Sequence, residues 1–151
     1  MDIERIRSYL LGLPHVLETA QWGGLVFWVG DKAIGGKMFA MMRLDENESL
    51  ERSEKSRVIS YSAGPERYSE LIEVDGIFPA PYSARIFWVA VSGWDVFRKT
   101  EWERELSAAH ALTLAKLPPK VRAVLEMPAA QQKRLIAERR KLLAAKAARG
   151  R

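Results

Sequence analysis

Hydrophobic residues near the start of the chain recur at the spacing of an α-helix. Ile3, Ile6, Leu10 and Leu13 are separated by polar residues, and Pro14 follows directly. Side chains three and four positions apart lie on one face of a helix, and proline ends such a pattern. The spacing therefore predicts a first helix over residues 2–12.

Beyond this helix, apolar runs and breaker residues predict alternating strands and helices. Strands are predicted over residues 25–29, 33–34, 37–44, 58–62 and 86–91. Helices are predicted over residues 65–76, 100–117 and 121–126. Thr100 and Glu103 have the spacing of a capping box, which places a helix start at Thr100. The segment 78–82 is predicted to be a connecting loop, because Pro79 and Pro81 remove backbone donors.

The last part of the chain has a different pattern. Residues 129–148 are rich in strong helix formers, and an apolar stripe recurs along them at Leu135, Ile136, Leu142 and Leu143. Cations occupy the remaining surface at Lys133, Arg134, Arg139, Arg140, Lys141 and Lys146. The pattern predicts a basic amphipathic helix in a tail at residues 128–151, appended to a body at residues 1–127.

The charges divide the chain in a similar way. Residues 116–151 contain 11 of the 24 Lys and Arg but two of the 19 acids, a net charge of +9. Residues 1–115 carry 13 basic and 17 acidic side chains, a net charge of −4. A basic terminal segment is typical of proteins that bind a polyanion. We therefore expect any nucleic acid to be bound mainly by the tail.

Composition bounds the class of protein. A chain of 151 residues with 48% hydrophobic and 28% charged side chains suits one globular domain. The absence of cysteine excludes disulfides, thiolate nucleophiles and Cys-based zinc sites. The charged start of the chain is unlike a signal peptide, and no apolar run approaches the ~18 residues of a membrane span. We expect a soluble cytoplasmic protein with no membrane partner.

Several short strings occur in a characteristic order. They are Gln21-Trp22-Gly23, Val26-Phe27-x-Val29-Gly30, Gly36-Lys37-Met38-Phe39-Ala40-Met41-Met42, Tyr82 ahead of Phe87-Trp88, and Ala115-Lys116-Leu117-Pro118. In order and spacing they resemble the MmcQ/YjbR family over about residues 3–122, with the tail outside. The resemblance implies an α+β fold, a two-layer domain in which helices pack on an antiparallel sheet. It implies the element order α-β(3)-α-β(2)-α that secretion chaperones also show. Members of the family are described as DNA-binding proteins.

The chain departs from one family pattern, Asn-Lys-x-His-Trp, at the strand after the proline-rich loop. The matching positions are Ala84, Arg85, Ile86, Phe87 and Trp88, so the amide and the imidazole are missing. Arg85 retains a cation that suits a phosphate or an acidic ligand group. An ordinary surface arginine beside a buried aromatic fits the same residues.

The remaining chemically active residues do not form a catalytic pattern. The glycines at 30–36 lack the spacing and hydroxyl of a phosphate loop, and suit a hairpin or bulge instead. His15 and His110 are 95 residues apart; His110 is predicted to be a packed helical residue, and His15 to lie at a helix end. The acidic stretch 45–54 lacks the central glycine of a calcium loop. We expect no enzyme activity, no cofactor and no metal.

The five tryptophans, Trp22, Trp28, Trp88, Trp94 and Trp102, are predicted to build the core. A stacking platform for bases would need exposed aromatics among cations. Near Trp88 the sequence offers Arg85 as the one basic neighbour.

Two functions remain open. In the first, the protein binds DNA with low sequence specificity through Lys133, Arg134, Arg139, Arg140, Lys141 and Lys146, with Arg85 as a further contact. In the second, the apolar stripe of the tail packs on the body, on a second copy or on an acidic protein, and nucleic acid has no role. A membrane surface fits less well, because the tail lacks Trp and Phe.

Overall fold

The computed structural model of the protein describes residues 1–44 and 57–150. Within this part the α-helices are α1 (Ile3–Leu11), α2 (Pro65–Leu71), α3 (Lys99–Lys116), α4 (Pro119–Leu125) and α5 (Ala129–Arg149). The strands are β1 (Val16–Gln21), β2 (Gly24–Val29), β3 (Lys37–Arg43), β4 (Ile59–Ser62), β5 (Ile77–Pro79) and β6 (Trp88–Val91). They form one antiparallel sheet in the order β1-β2-β3-β4-β6-β5. Short 3₁₀ turns at Lys32–Ile34 and Ala84–Ile86 precede β3 and β6. The predicted α+β class is confirmed.

The helix predicted at residues 2–12 is α1. The side chain of Asp2 accepts a hydrogen bond from the backbone N of Arg5 at 2.9 Å, which caps the first turn. Ile6 and Leu10 are fully buried, as their spacing predicts. Gly12 follows at the carboxyl end.

The two edge strands are missing from the sequence prediction. The predicted loop at 78–82 begins inside β5, where Pro79 is tolerated because β5 has a neighbour on one side, β6. β1 was not predicted because its residues are mostly half-buried or exposed rather than apolar. With β1, four strands precede α2, one more than the implied order.

The connection between β2 and β3 is a tight turn rather than the extended segment predicted at 33–34. A carboxylate oxygen of Asp31 accepts from the backbone N of Ala33 at 2.8 Å and so starts the 3₁₀ turn. Gly36 lies against Gly30, and a Cβ at Gly36 would come within 1.9 Å of the Gly30 carbonyl oxygen. The glycines thus serve a tight connection between strands, as predicted. The acidic stretch predicted at 45–54 lies outside the described residues.

The start of α3 differs from its prediction. The helix begins at Lys99, and the carboxylate of Glu101 accepts from the backbone N of Arg98 at 3.0 Å. The box predicted from Thr100 and Glu103 is therefore wrong by about one half-turn. Glu101 can reach back because it is the third residue of the helix.

All helices contribute to a core on one face of the sheet. Its largest fully buried side chains are Trp102, Tyr61, Phe27, Phe39, Ile6 and Leu10. The pairing of β2 with β3 shifts register next to Phe27, so Phe39 and Ala40 both join this core. Alternation along β6 places Trp88 and Ala90 on the opposite face, in a smaller cluster.

A buried polar cluster joins α2, α3 and β4. Glu105 is 4% exposed, and its carboxylate accepts from the Tyr61 hydroxyl at 3.2 Å and from the Arg67 guanidinium. Burial, together with the nearby charge of Glu105, raises the pKa of Tyr61 well above its usual value of 10.0. Tyr61 therefore stays a protonated donor to the carboxylate.

The two histidines lie in different surroundings. His110 is buried, and its Nε2 lies 2.7 Å from the Pro14 carbonyl oxygen, which confirms the prediction of a packed histidine with one satisfied nitrogen. His15 stands beyond the end of α1 with a positive φ of 65°, and its carbonyl accepts from Gly30 N at 2.9 Å. The predicted place of His15 at a helix end is therefore corrected to a turn before β1.

One tryptophan prediction is wrong. Trp28, Trp88 and Trp102 are buried, but Trp22 is 64% exposed. Trp22 and Gly23 form the two-residue turn between β1 and β2, both with positive φ. The turn geometry directs the Trp22 side chain into solvent.

Candidate nucleic-acid interface

The basic helix α5 is hydrogen-bonded to the end of α4. Its first turn follows Pro128, and Gln132 donates from its side-chain amide to the carbonyls of Leu125, at 3.1 Å, and Met127, at 2.7 Å. These carbonyls belong to the last turn of α4 and the residues after it, and they have no partner within that helix. The prediction of a helix at 129–148 is confirmed, and its orientation is set by Gln132.

The middle of α5 packs on the body. Leu135 and Ile136 are half-buried against the main core, and the helix contacts the 3₁₀ turn at Lys32–Ile34. Arg140 Nη2 lies 2.5 Å from a carboxylate oxygen of Asp31, which is buried. Since Arg140 is two-thirds exposed, this ion pair contributes up to about 1 kcal/mol and mainly sets where the helix lies.

The apolar stripe of α5 is covered along part of its length. Leu142 is 64% exposed and Leu143 is 54% exposed, although both continue the stripe of Leu135 and Ile136. The 21-residue helix is about 31 Å long, so its second half extends past the contact with the 3₁₀ turn. Packing of the stripe on the body was one of the predicted alternatives. It is present at the middle of the helix and ends before Leu142.

The six predicted cations of α5 surround the helix. Residues seven apart share a face, which gives three rows: Lys133 with Arg140, Arg134 with Lys141, and Arg139 with Lys146. The row of Arg134 and Lys141 lies opposite Gln132 and Ile136. All six residues are exposed, and Glu138 is the one acid among the residues of α5. The helix thus offers positive charge to solvent from several directions.

A small cavity remains where α5 meets the body. It has a volume of about 230 Å³ and is lined mainly by aliphatic side chains, among them Leu13, Leu125 and Ile136. Its wall includes Asp31, whose two oxygens already accept from Arg140 and from Ala33 N. The volume is below the roughly 300 Å³ of typical ligand pockets. His15 and Gln132 are the other polar residues of its wall.

Arg85 lies apart from the α5 cations. It is exposed on the 3₁₀ turn Ala84–Ile86, directly before β6. In the sheet order, β6 is three strands from β2, where Asp31 holds α5. At about 4.8 Å per strand, the separation across the sheet is about 14 Å.

Beside Arg85 lies an exposed aromatic surface that the sequence prediction missed. We call residues 80–87 the aromatic loop. Tyr82 is 88% exposed, Ile86 56% and Phe87 39%. Tyr82 and Phe87 have positive φ angles of 66° and 61°. The signal in the sequence was the pair Pro79 and Pro81, which keeps Tyr82 out of the buried strand register.

Membrane spans and metal sites are both absent from residues 1–44 and 57–150. In this part no helix is long and apolar enough to cross a bilayer. Nor does it contain a group of three His, Asp or Glu side chains placed to hold a metal ion.

Comparisons with known proteins place the chain in a family. A search of curated proteins gave no match. The crystal structure of Deinococcus radiodurans protein DR2400, a DUF419 domain, is similar with a TM-score of 0.67 and 26% identity, and the alignment covers 83% of this chain and 88% of that one. The YjbR family model matches residues 11–112, which exclude α5. This match covers more than half of the chain, and the protein therefore belongs to the YjbR family.

Proposed function

We propose that the protein binds nucleic acid with low sequence specificity through α5 and catalyses no reaction. The observation that carries the proposal is the row arrangement of exposed cations on a helix that the body holds in place. Lysine and arginine neutralise phosphates and release counterions, which gives affinity without reading base sequence. Arg85 supplies a further phosphate contact.

The contrast between body and tail supports this function. The body, residues 1–127, carries 16 basic and 18 acidic side chains, a net charge of −2, so it weakly repels a polyanion while α5 attracts it. Because Arg140 is bound to Asp31, it fixes the helix, and Lys133, Arg134, Arg139, Lys141 and Lys146 remain for the ligand. The polyanion then contacts these five exposed cations, which lie in rows on different sides of α5.

The absence of catalysis is supported by what the buried titratable groups do. Glu105 is bound by Arg67 and Tyr61, and His110 lies against the Pro14 carbonyl. Each group therefore stabilises the packing of helices on the sheet. A general acid or base would need a free position beside a substrate.

Neutralising α5 is expected to weaken DNA binding at least about tenfold at low salt. The variant replaces Lys133, Arg134, Arg139, Lys141 and Lys146 with Gln and keeps Arg140, so that the helix stays docked. Each duplex phosphate that the variant no longer neutralises reduces the steepness of log affinity against log salt by about 0.9. The measurement is fluorescence anisotropy of a labelled duplex at several salt concentrations.

The matched control makes the same charge change on the body. It replaces Arg5, Arg98, Lys99, Arg104 and Lys116, all exposed, with Gln. If affinity depends on net charge alone, the DNA affinity of both variants falls equally, and that result refutes the role of α5. A wild-type protein that binds neither duplex nor single strand at low salt refutes the function itself.

A second function, self-association, is favoured by the exposure of Leu142 and Leu143. Two such leucines on a projecting helix half match the seam through which helices pair. If this is the function, the mass from light scattering rises with concentration, and Leu142→Gln with Leu143→Gln abolishes the rise. Ala144→Gln with Ala147→Gln, at exposed positions of the same helix half, should leave the rise intact. A constant monomer mass would exclude this function.

A further inference from the structure

We infer that the aromatic loop stacks nucleic-acid bases, so that the protein prefers single strands to duplexes. This inference rests on the proposed function, because α5 supplies the phosphate contacts. The inference adds a preference for single strands, which the cations alone do not provide. Phosphates occur in both forms of nucleic acid, whereas open base faces occur in single strands.

The strand register places the aromatic loop and α5 at one end of the sheet. Val29 pairs with Lys37 across β2 and β3, and Ser62 pairs with Trp88 across β4 and β6. The connection after β2 carries Asp31, which binds α5, and the segment before β6 is the aromatic loop. Both features therefore lie where these four strands begin or end.

Exposed cations lie at the same end of the sheet as the two features. Lys32 is in the 3₁₀ turn that α5 contacts, Lys37 opens β3, and Arg85 is in the aromatic loop; all three are exposed. The strands next to the two features are about 14 Å apart across the sheet. Domains of another class, the OB-folds, bind single strands of about 4–16 nucleotides. One strand can therefore contact α5, these cations and the aromatic loop together.

Hydrogen bonds hold the backbone of the aromatic loop in place before any ligand binds. The chain closes on itself through Ala80 N to the Trp88 carbonyl at 3.1 Å and Trp88 N to the Ser83 carbonyl at 3.2 Å. Phe87 N donates to the Ala84 carbonyl at 3.0 Å, inside the 3₁₀ turn. Phe87 also packs edge-on against Tyr68 of α2, with 5.7 Å between ring centroids.

Tyr82 has the form of a stacking residue. Its side chain is 88% exposed, so it adds little to the core, yet its backbone takes a left-handed conformation that few bulky residues adopt. Backbone strain of this kind persists where the surroundings fix it, and it is found at ligand sites. An exposed ring on a fixed backbone loses little freedom when a base stacks on it.

The test compares an oligothymidylate of about 20 nucleotides with a duplex of the same length, both labelled. Wild type is expected to bind the single strand at least about fivefold more tightly, which is the smallest gain from one stacked base. Tyr82→Asn keeps a residue that tolerates positive φ and removes the ring. It should lower single-strand affinity about 5- to 100-fold and leave duplex affinity unchanged, whereas Tyr82→Phe should bind like wild type.

The matched control is Trp22→Asn. Trp22 is also an exposed aromatic residue with positive φ, but it lies at the other end of the sheet, where Gly24 pairs with Arg43. This variant should bind both ligands like wild type. A poly-glutamate competitor, which has no bases, should displace the single strand poorly.

The outcomes separate this inference from the proposed function. Equal wild-type affinity for single strand and duplex, with both lost on neutralising α5, overturns base stacking and keeps the role of α5. Equal losses from Tyr82→Asn and Trp22→Asn also overturn base stacking, as does efficient displacement by poly-glutamate. No binding of either ligand overturns both proposals.

Discussion

Replacing Trp102 with alanine is expected to lower the free energy of unfolding by about 3–5 kcal/mol. Trp102 is fully buried, and its ring centroid lies 5.0 Å from that of Phe97 and 5.4 Å from that of Trp94. Its indole Nε1 donates to the Trp94 carbonyl at 3.1 Å. Alanine would leave a cavity between α3 and the sheet and remove the donor from that carbonyl. Urea denaturation followed by circular dichroism measures the loss.

The control is the same substitution at Trp22, which is 64% exposed in the turn between β1 and β2. Trp22→Ala is expected to change the free energy of unfolding by less than about 1 kcal/mol, because little apolar area is removed from the interior. Equal losses at the two positions would contradict the burial of Trp102. The comparison keeps the chemistry of the substitution fixed and varies its surroundings.

The elements with strong local patterns are those that the sequence predicts well. α1 and α5 have apolar spacing that holds over several turns, and both were found within about two residues of the predicted bounds. The middle of α3 was likewise predicted, although its first residue was not. The spacing of apolar residues indicates which face of an element is buried, and this spacing can be read from residues that are close together in the sequence.

The edge strands depend on pairing with distant residues. The position of β1 is fixed by its pairing with β2, and that of β5 by its pairing with β6. Buried and exposed residues alternate only weakly along both strands. A half-exposed strand with a proline has no local signature that separates it from a loop. The pairing partner supplies what the local sequence lacks.

The candidate site was predicted in its residue types and not in its geometry. The six cations and the apolar stripe of α5 are visible in the sequence. The pairing of Arg140 with Asp31 is not visible, because the two residues are 109 positions apart and meet through the turn between β2 and β3. For the same reason the sequence does not show that the stripe is covered at Leu135 and open at Leu142.

The exposure of Trp22 was missed because hydrophobicity alone assigns a tryptophan to the core, whereas Tyr82 lies in the predicted loop at 78–82. Trp22, Tyr82 and Phe87 all have positive φ, and the turn geometry points their rings away from the sheet. Positive φ at large residues is uncommon, so composition favours burial for any tryptophan or tyrosine. The proline pair before Tyr82 was the local sign of an irregular backbone.

Removing the arginine from the buried polar cluster is expected to destabilise the protein by about 3 kcal/mol. Arg67→Met leaves the carboxylate of Glu105, which is 4% exposed, without its cation. A buried charge that loses its partner typically costs about 3–5 kcal/mol. The lower end applies because the Arg67 side chain is 45% exposed, so water can partly replace it. Guanidinium denaturation at neutral pH gives the value.

The opposite change should be mild, since it removes the buried members of the cluster and leaves the one that reaches solvent. In the double variant Glu105→Leu with Tyr61→Phe, neither a buried charge nor an unpaired hydroxyl remains, and Arg67 can turn to water and to Glu70, 3.2 Å away. The expected loss is below about 1 kcal/mol, as replacing a buried ion pair with apolar residues is often neutral. If the double variant lowers the free energy of unfolding as much as Arg67→Met does, the ion pair itself stabilises the fold. If Arg67→Met lowers the free energy of unfolding only slightly, water already solvates the Glu105 carboxylate, and the carboxylate is less enclosed than its contacts indicate.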